Sequence, residues 1–148
     1  MLFSKIKILK KNKNAKIPTR ATKGSAGFDL YACMEKEMVI LKGERKLIST
    51  GIAIEIPSEE ISALIFSRSG LGAKKGITVS NGVGVIDSDY RGEIFVCLYN
   101  LSQEDYKILP NDRIAQMIFI PIFIPEMLLN EELSESDRAD DGFGSTGK

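Results

Sequence analysis

The stretch Asn81-Gly-Val-Gly-Val-Ile-Asp-Ser-Asp-Tyr-Arg-Gly-Glu93 sets acids, an aromatic ring and glycines between two runs that read as strands. Val83, Val85 and Ile86 are β-formers, and residues 93–99 alternate in the strand period. Asp87-Ser-Asp-Tyr-Arg-Gly92 between them is turn chemistry, so the stretch predicts a hairpin with a carboxylate at its bend. Gly82, Gly84 and Gly92 remove side chains where something must come close to the backbone, a ligand being one candidate. Alone, it also reads as an ordinary hairpin with soluble turn residues.

Working outward, short β-like runs are predicted at 4–8, 28–32, 37–41, 46–49, 51–56, 62–67, 77–79, 106–109 and 113–120. Residues 122–124 are a candidate extension after Pro121. In the 51–56 run, Ile52, Ile54 and Ile56 share one face and Glu55 takes the other. A helical turn or two is predicted only at 69–74. Many closely spaced strands argue an all-β barrel or sandwich in one domain. From Ser134 on, Phe143 is the only large apolar residue, so this segment is expected not to fold by itself.

Composition narrows the chemistry. The 148 residues suit one domain, and 43% hydrophobic content allows a core. Lysine plus arginine balances aspartate plus glutamate at 20 each, so no global field favours nucleic acid as a partner. The basic cluster at 5–16 reads as a solvated edge strand and loop. No run approaches a membrane span, since 114–124 is broken by Gln116 and Pro121, and no signal peptide is evident; a cytoplasmic protein is expected. Histidine is absent, which removes histidine-based nucleophile systems and metal centres and leaves base catalysis to a carboxylate or a lysine. Cys33 and Cys97 have no spacing partner and are expected to be buried small apolar residues.

Other stretches carry functional groups beside bland readings. Ser67-Arg-Ser-Gly70 offers a guanidinium, hydroxyls and flexible backbone, phosphate contacts by type, though it also reads as a plain strand-to-loop turn. It is not a Walker loop, because Lys75 is followed by glycine. Asp29 interrupts an apolar strand, either on its solvent face or held for a purpose. Gln116 is polar within an apolar run, and a satisfied core glutamine is its plain alternative. In the tail, Arg138, Phe143, Ser145 and Thr146 among glycines are parts suited to holding a phosphorylated base.

Together with four further stretches, 81–93 resembles the third motif of the trimeric deoxyuridine triphosphate nucleotidohydrolases, the dUTPases. The others, in order, are Ala26-Gly-Phe-Asp-Leu-Tyr-Ala32, Ser67-Arg-Ser-Gly-Leu-Gly-Ala-Lys-Lys-Gly76, Asn111-Asp-Arg-Ile-Ala-Gln116 and Arg138-Ala-Asp-Asp-Gly-Phe-Gly-Ser-Thr-Gly147. They run from near residue 18 to the end of the sequence. The resemblance implies a distorted jelly-roll or β-clip barrel over residues 1–133, with a flexible tail over 134–148 that closes on the nucleotide. It implies hydrolysis of dUTP to dUMP and pyrophosphate by water attack on the α-phosphate. That reaction limits uracil incorporation into DNA and supplies dUMP for thymidylate synthesis.

By resemblance, Asp87 orients and activates the water and Gln116 lies near it and the α-phosphate. Arg68, Ser69, Gly70, Arg138, Gly144, Ser145 and Thr146 contact the phosphate chain. Asn81 and the main chain of Val83, Gly84 and Val85 read uracil, Tyr90 packs under the deoxyribose, and Phe143 stacks on the base. Hydrogen-bond readout of this kind rejects cytosine by roughly 10⁴-fold. Asp29 is expected to support, through water, a Mg2+ held by the triphosphate. A homotrimer with shared sites is implied: Asp87 and Tyr90 from one chain, Asp29, Arg68 and Gln116 from a second, the tail from a third. The chain departs from the family at Ser67 (usually proline), Asn111 and Ala139 (usually glycine).

Three rival readings stand beside this one. A dCTP deaminase shares the fold but needs a strand glutamate near Cys97, and none is there. A non-enzymatic nucleotide sensor would use the same pocket. A generic β-sandwich binding module leaves the tail unaccounted for.

Overall fold

The computed structural model describes residues 5–136, and the tail residues Arg138, Ala139, Phe143, Gly144, Ser145 and Thr146 lie outside them. The strands are β1 (Lys7–Lys10), β2 (Phe28–Tyr31), β3 (Met38–Ile40), β4 (Arg45–Ser49), β5 (Ile52–Glu55), β6 (Ile61–Phe66), β7 (Ile77–Val79), β8 (Gly84–Ile86), β9 (Phe95–Asn100), β10 (Tyr106–Ile108) and β11 (Arg113–Pro121). A single helix among the described residues, α1 (Ser69–Lys75), links β6 to β7 and ends on Gly76 in the left-handed region. The all-β expectation holds. Among the described residues the strands form four sheets rather than one closed ladder: β1-β5, β3-β10, β2-β11-β6-β8 and β4-β9-β7.

Two local expectations give way. β8 and β9 do not pair as a hairpin; β8 joins β6, and β9 lies between β4 and β7. The 87–92 turn therefore carries the chain from one sheet to another: Gly84 leaves room for β8 to close on Ile65 of β6, while Val96 and Leu98 of β9 are buried in the core. Residues 122–124 form no strand, although the Ile122 N–H still donates to the Glu60 carbonyl at 2.8 Å.

The core follows the alternation. Leu30, Ile40, Ile48, Ile52, Ile77, Ile94, Leu98, Ile108, Ile114 and Met117 are essentially inaccessible. Each such side chain contributes about 1.5–3 kcal/mol through burial. Ile52, Ile54 and Ile56 are buried, while Glu55 reaches out to Lys7 at 2.9 Å. β1 is exposed along its length, as a solvated edge strand should be. Cys33 and Cys97 are free and only half-buried, less than expected. Burial pushes the Cys33 thiol above its ordinary value; Glu93 acts the same way and Lys10 opposes.

Candidate active site

Three of the singled-out stretches converge on the β2-β11-β6 ladder. Gln116 of β11 stands opposite Asp29 of β2 on one side and Phe66 of β6 on the other. Just past β6, Ser67 and Arg68 turn the chain into α1, and a cavity of about 310 Å³ opens here. Asp29, Arg68, Ser69, Gly70, Gln116 and Gly27 line it.

Asp29 lies buried among its neighbours, with both carboxylate oxygens engaged. Arg68 Nε donates to one at 2.9 Å, and Arg113 Nη1 donates to the other at 3.2 Å. Arg68 Nη1 donates to the Arg113 main-chain carbonyl, also at 3.2 Å. A carboxylate taken out of water needs such partners, and here two guanidiniums supply them. The arrangement holds Arg68 by one edge at the cavity wall. Arg68's field also reaches Tyr106, whose phenol is pushed above its ordinary value by burial and by Asp112, with Arg68 opposing.

Gln116 Nε2 donates to the Ser67 carbonyl at 3.0 Å. Its Oε1 occupies the space a side chain at Gly27 would need; a Cβ there would fall 2.7 Å from that oxygen. Ser67, the departure from the family's proline, is itself tied down. Its Oγ shares a 2.8 Å bond with Thr78 Oγ1 and accepts from the Val79 N–H at 2.8 Å. Those bonds restrain the loop in place of a proline ring.

Asn81, Val83, Gly84, Val85, Asp87 and Tyr90 form a second group, and none of them lines that cavity. The Val83 N–H donates to the Asn81 carbonyl at 2.8 Å across Gly82, which sits at φ +72°. Asp87 is exposed just beyond β8, and its carbonyl accepts from the Tyr90 N–H at 3.2 Å. Tyr90 Oη donates to the Glu93 carbonyl at 2.9 Å. Two of the three glycines here accommodate the protein itself: Gly84 lets Ile65 approach, and Gly92 seats the Tyr90 ring.

Register measures how far apart the two groups lie. Ile86 is opposite Ala63, and Gln116 is opposite Phe66, on the two sides of β6. At about 3.3 Å per residue and 4.8 Å per strand, Ile86, the neighbour of Asp87, lies roughly 14 Å from Gln116, and Gly84, opposite Ile65, roughly 10 Å.

Sequence reasoning missed Arg113 and Gly27. The buried acid at Asp29 was the available signal for Arg113, because such a group demands a counter-charge. No cluster of three or more metal-ligating side chains exists among the described residues. Asp29 accepts a guanidinium bond on each of its carboxylate oxygens.

A family model described as dUTPase matches residues 13–147. The chain is similar to the deoxyuridine 5'-triphosphate nucleotidohydrolase of Desulfitobacterium hafniense, 49% identical over 143 residues, covering 97% of this chain and 95% of that one. It is 45% identical over 136 residues to the enzyme of that name from Serratia proteamaculans, covering 92% and 90%. Among solved structures it resembles the Staphylococcus bacteriophage 80alpha dUTPase with dUPNHPP, with a TM-score of 0.87 and 28% identity, covering 97% of this chain and 99% of that one. It also resembles a dUTPase from phage phi11 of S. aureus, described as coordinating a structural Mg(II) ion, with a TM-score of 0.79 and 25% identity over 88% and 99%.

Proposed function

The chain belongs to the dUTPase family, and we infer that it is an enzyme that hydrolyses dUTP to dUMP and pyrophosphate. The observation that carries the site assignment is the cavity, where Asp29, Arg68 and Gln116 meet from three distant stretches. Arg68, Ser69, Gly70 and Gln116 bind the phosphate chain there. Water, oriented by Asp87 and losing its proton to that carboxylate, attacks the α-phosphorus, and pyrophosphate leaves. Asn81 and the main chain of Val83, Gly84 and Val85 read the uracil edge, and Tyr90 packs beneath the deoxyribose. Arg138, Phe143, Gly144, Ser145 and Thr146 close over base and phosphates. Mg2+ held by the triphosphate supplies charge neutralisation, with Asp29 supporting it through water.

The roughly 14 Å between Ile86, beside Asp87, and Gln116, and the absence of Asp87 and Tyr90 from the cavity lining, support a homotrimer in which Asp87 and Tyr90 act on nucleotide held by another chain's Asp29, Arg68 and Gln116. The described chain beyond Pro121 also favours assembly. Every side chain from Pro121 to Ser136 is exposed, including Phe123, Met127, Leu128, Leu129 and Leu133. A run of apolar side chains left in water marks an interface. Residues 1–133 serve as the catalytic body and 134–148 as the closing segment. No helix among the described residues is long and apolar enough to cross a membrane. A cytoplasmic location, where dUTP competes with thymidine nucleotides, suits the reaction.

Pyrophosphate release measured across all nucleoside triphosphates tests this reading. Turnover confined to dUTP, without ammonia, is expected. Release of ammonia from dCTP, or binding of dUTP without turnover, would overturn it.

A further inference from the structure

Glu93 lies outside the cavity and outside the base-reading segment, yet its carboxylate is engaged by another part of the chain. Ser49 Oγ donates to Glu93 Oε1, and the Gly51 N–H donates to the same oxygen at 3.0 Å. Ser49 ends β4, and Gly51 lies in the turn between β4 and β5. That turn is backed by core: Gly51 sits at φ +68°, and a Cβ on it would fall 2.7 Å from Cys33 Sγ and 2.8 Å from the Ala15 methyl. Ile94 completes the grip. Its N–H donates to the Ile52 carbonyl at 2.8 Å, and its carbonyl accepts from the Thr50 N–H at 3.2 Å and from Thr50 Oγ1 at 2.6 Å.

The Tyr90 ring stands on this clamp. Its hydroxyl donates to the Glu93 carbonyl at 2.9 Å, and the ring lies against Gly92, where a Cβ would come within 2.5 Å of Cζ. Tyr90 is 43% exposed, and its hydroxyl bond and the glycine seat are the contacts that hold the ring. Tyr90 is thus bonded to the main chain of the residue whose side chain Ser49 and Gly51 hold.

We propose that Glu93 is a specificity-determining residue, fixing the Tyr90 ring through Ser49 and Gly51 and so setting the room left for a 2′-hydroxyl. The inference rests on the reading of Tyr90 as the surface beneath the sugar. A carboxylate oxygen accepting two bonds is a stiff anchor. Steric exclusion by a ring tolerates little slack, because packing energy falls steeply with sub-ångström gaps.

The test compares kcat/KM for dUTP and for UTP, with Mg2+, in the parent, Tyr90→Ala, Glu93→Ala, Ser49→Ala and Glu93→Gln, with thermal melting as the check on folding. The dUTP-to-UTP ratio should fall roughly tenfold in Glu93→Ala, within the range steric discrimination supports. It should fall less in Ser49→Ala, which keeps the Gly51 bond. Glu93→Gln should restore the parent ratio, since its amide oxygen still accepts both donors. A ratio that falls in Tyr90→Ala but not in Glu93→Ala overturns the inference and spares the reading of Tyr90. A ratio unmoved in both overturns both, and a ratio moved by Glu93→Ala alone overturns the route through Tyr90. Equal losses for the two substrates would mark Glu93 as merely structural and also overturn it. Should Glu93→Ala not fold, an unchanged ratio in Ser49→Ala is enough to overturn it.

Discussion

Asp29 and Arg68, 39 residues apart in the chain, meet at 2.9 Å through a carboxylate oxygen and Nε. Arg113 takes the other carboxylate oxygen, and its carbonyl receives Arg68 Nη1. Arg68 is thus held along one edge, with its position governed by two residues that it does not neighbour in sequence.

Arg113→Met should therefore weaken catalysis without touching the substrate directly. We expect kcat/KM for dUTP to fall roughly ten- to a hundredfold, the scale of small misplacements of a binding group. Asp29→Ala should lose at least as much and, in addition, raise the Mg2+ concentration needed for half-maximal rate. A normal kcat/KM in Arg113→Met would show that Arg68 needs no such support.

Asp87→Asn should abolish turnover while dUTP still binds, because the amide keeps the shape and loses the base. Calorimetry with dUTP and a pyrophosphate assay separate the two effects. Near-normal pyrophosphate release would remove Asp87 from the role of base.

Gly27→Ala places a methyl 2.7 Å from Gln116 Oε1 and 3.2 Å from its Cβ. Gln116 must then give up its bond to the Ser67 carbonyl. We expect an overpacking cost of about 1–3 kcal/mol and a larger proportional loss in kcat/KM. Parent kinetics from a folded Gly27→Ala would show that Gln116 is free to move.

Asn111 holds φ +69° where the family usually has glycine, and its N–H donates to the Ala32 carbonyl at 2.8 Å. Asn111→Val should cost about 1–2 kcal/mol, the penalty for forcing a branched residue into the left-handed region. Asn111→Gly should stay within about 1 kcal/mol of the parent. Melting of the two variants checks the ordering, and equal stability would contradict it.

Shared sites predict complementation. Asp87→Asn and a truncation after Leu133 are each expected to be inactive alone. Co-expressed, some sites in mixed trimers would receive an intact Asp87 and an intact tail, and activity would return. An inactive mixture, with mixed trimers confirmed by mass, would exclude sharing.

Much of this protein was legible in its sequence. The strand period placed ten of the eleven strands to within a residue or two, and β1 three residues later than expected. The turn at 69–74 was realised as α1. Apolar alternation and turn residues are local properties, so they survive without knowledge of the fold. The candidate side chains were legible for a related reason: a polar group inside an apolar run, such as Asp29 or Gln116, is conspicuous wherever the strand pairs.

Pairing was not legible. Val83–Ile86 and the run after Glu93 have hairpin chemistry between them, yet β8 joins β6 and β9 joins β4 and β7. Which strand covers which is decided by apolar faces far apart in sequence, and no local pattern carries that information. The same long-range choices bring Arg113 to Asp29, seat Gln116 over Gly27, and anchor Glu93 on the turn beyond β4. Residue type and spacing determined which groups this chain has to offer, because those are written locally. Only the tertiary structure decided which of them meet, because register and burial are settled by the whole chain at once.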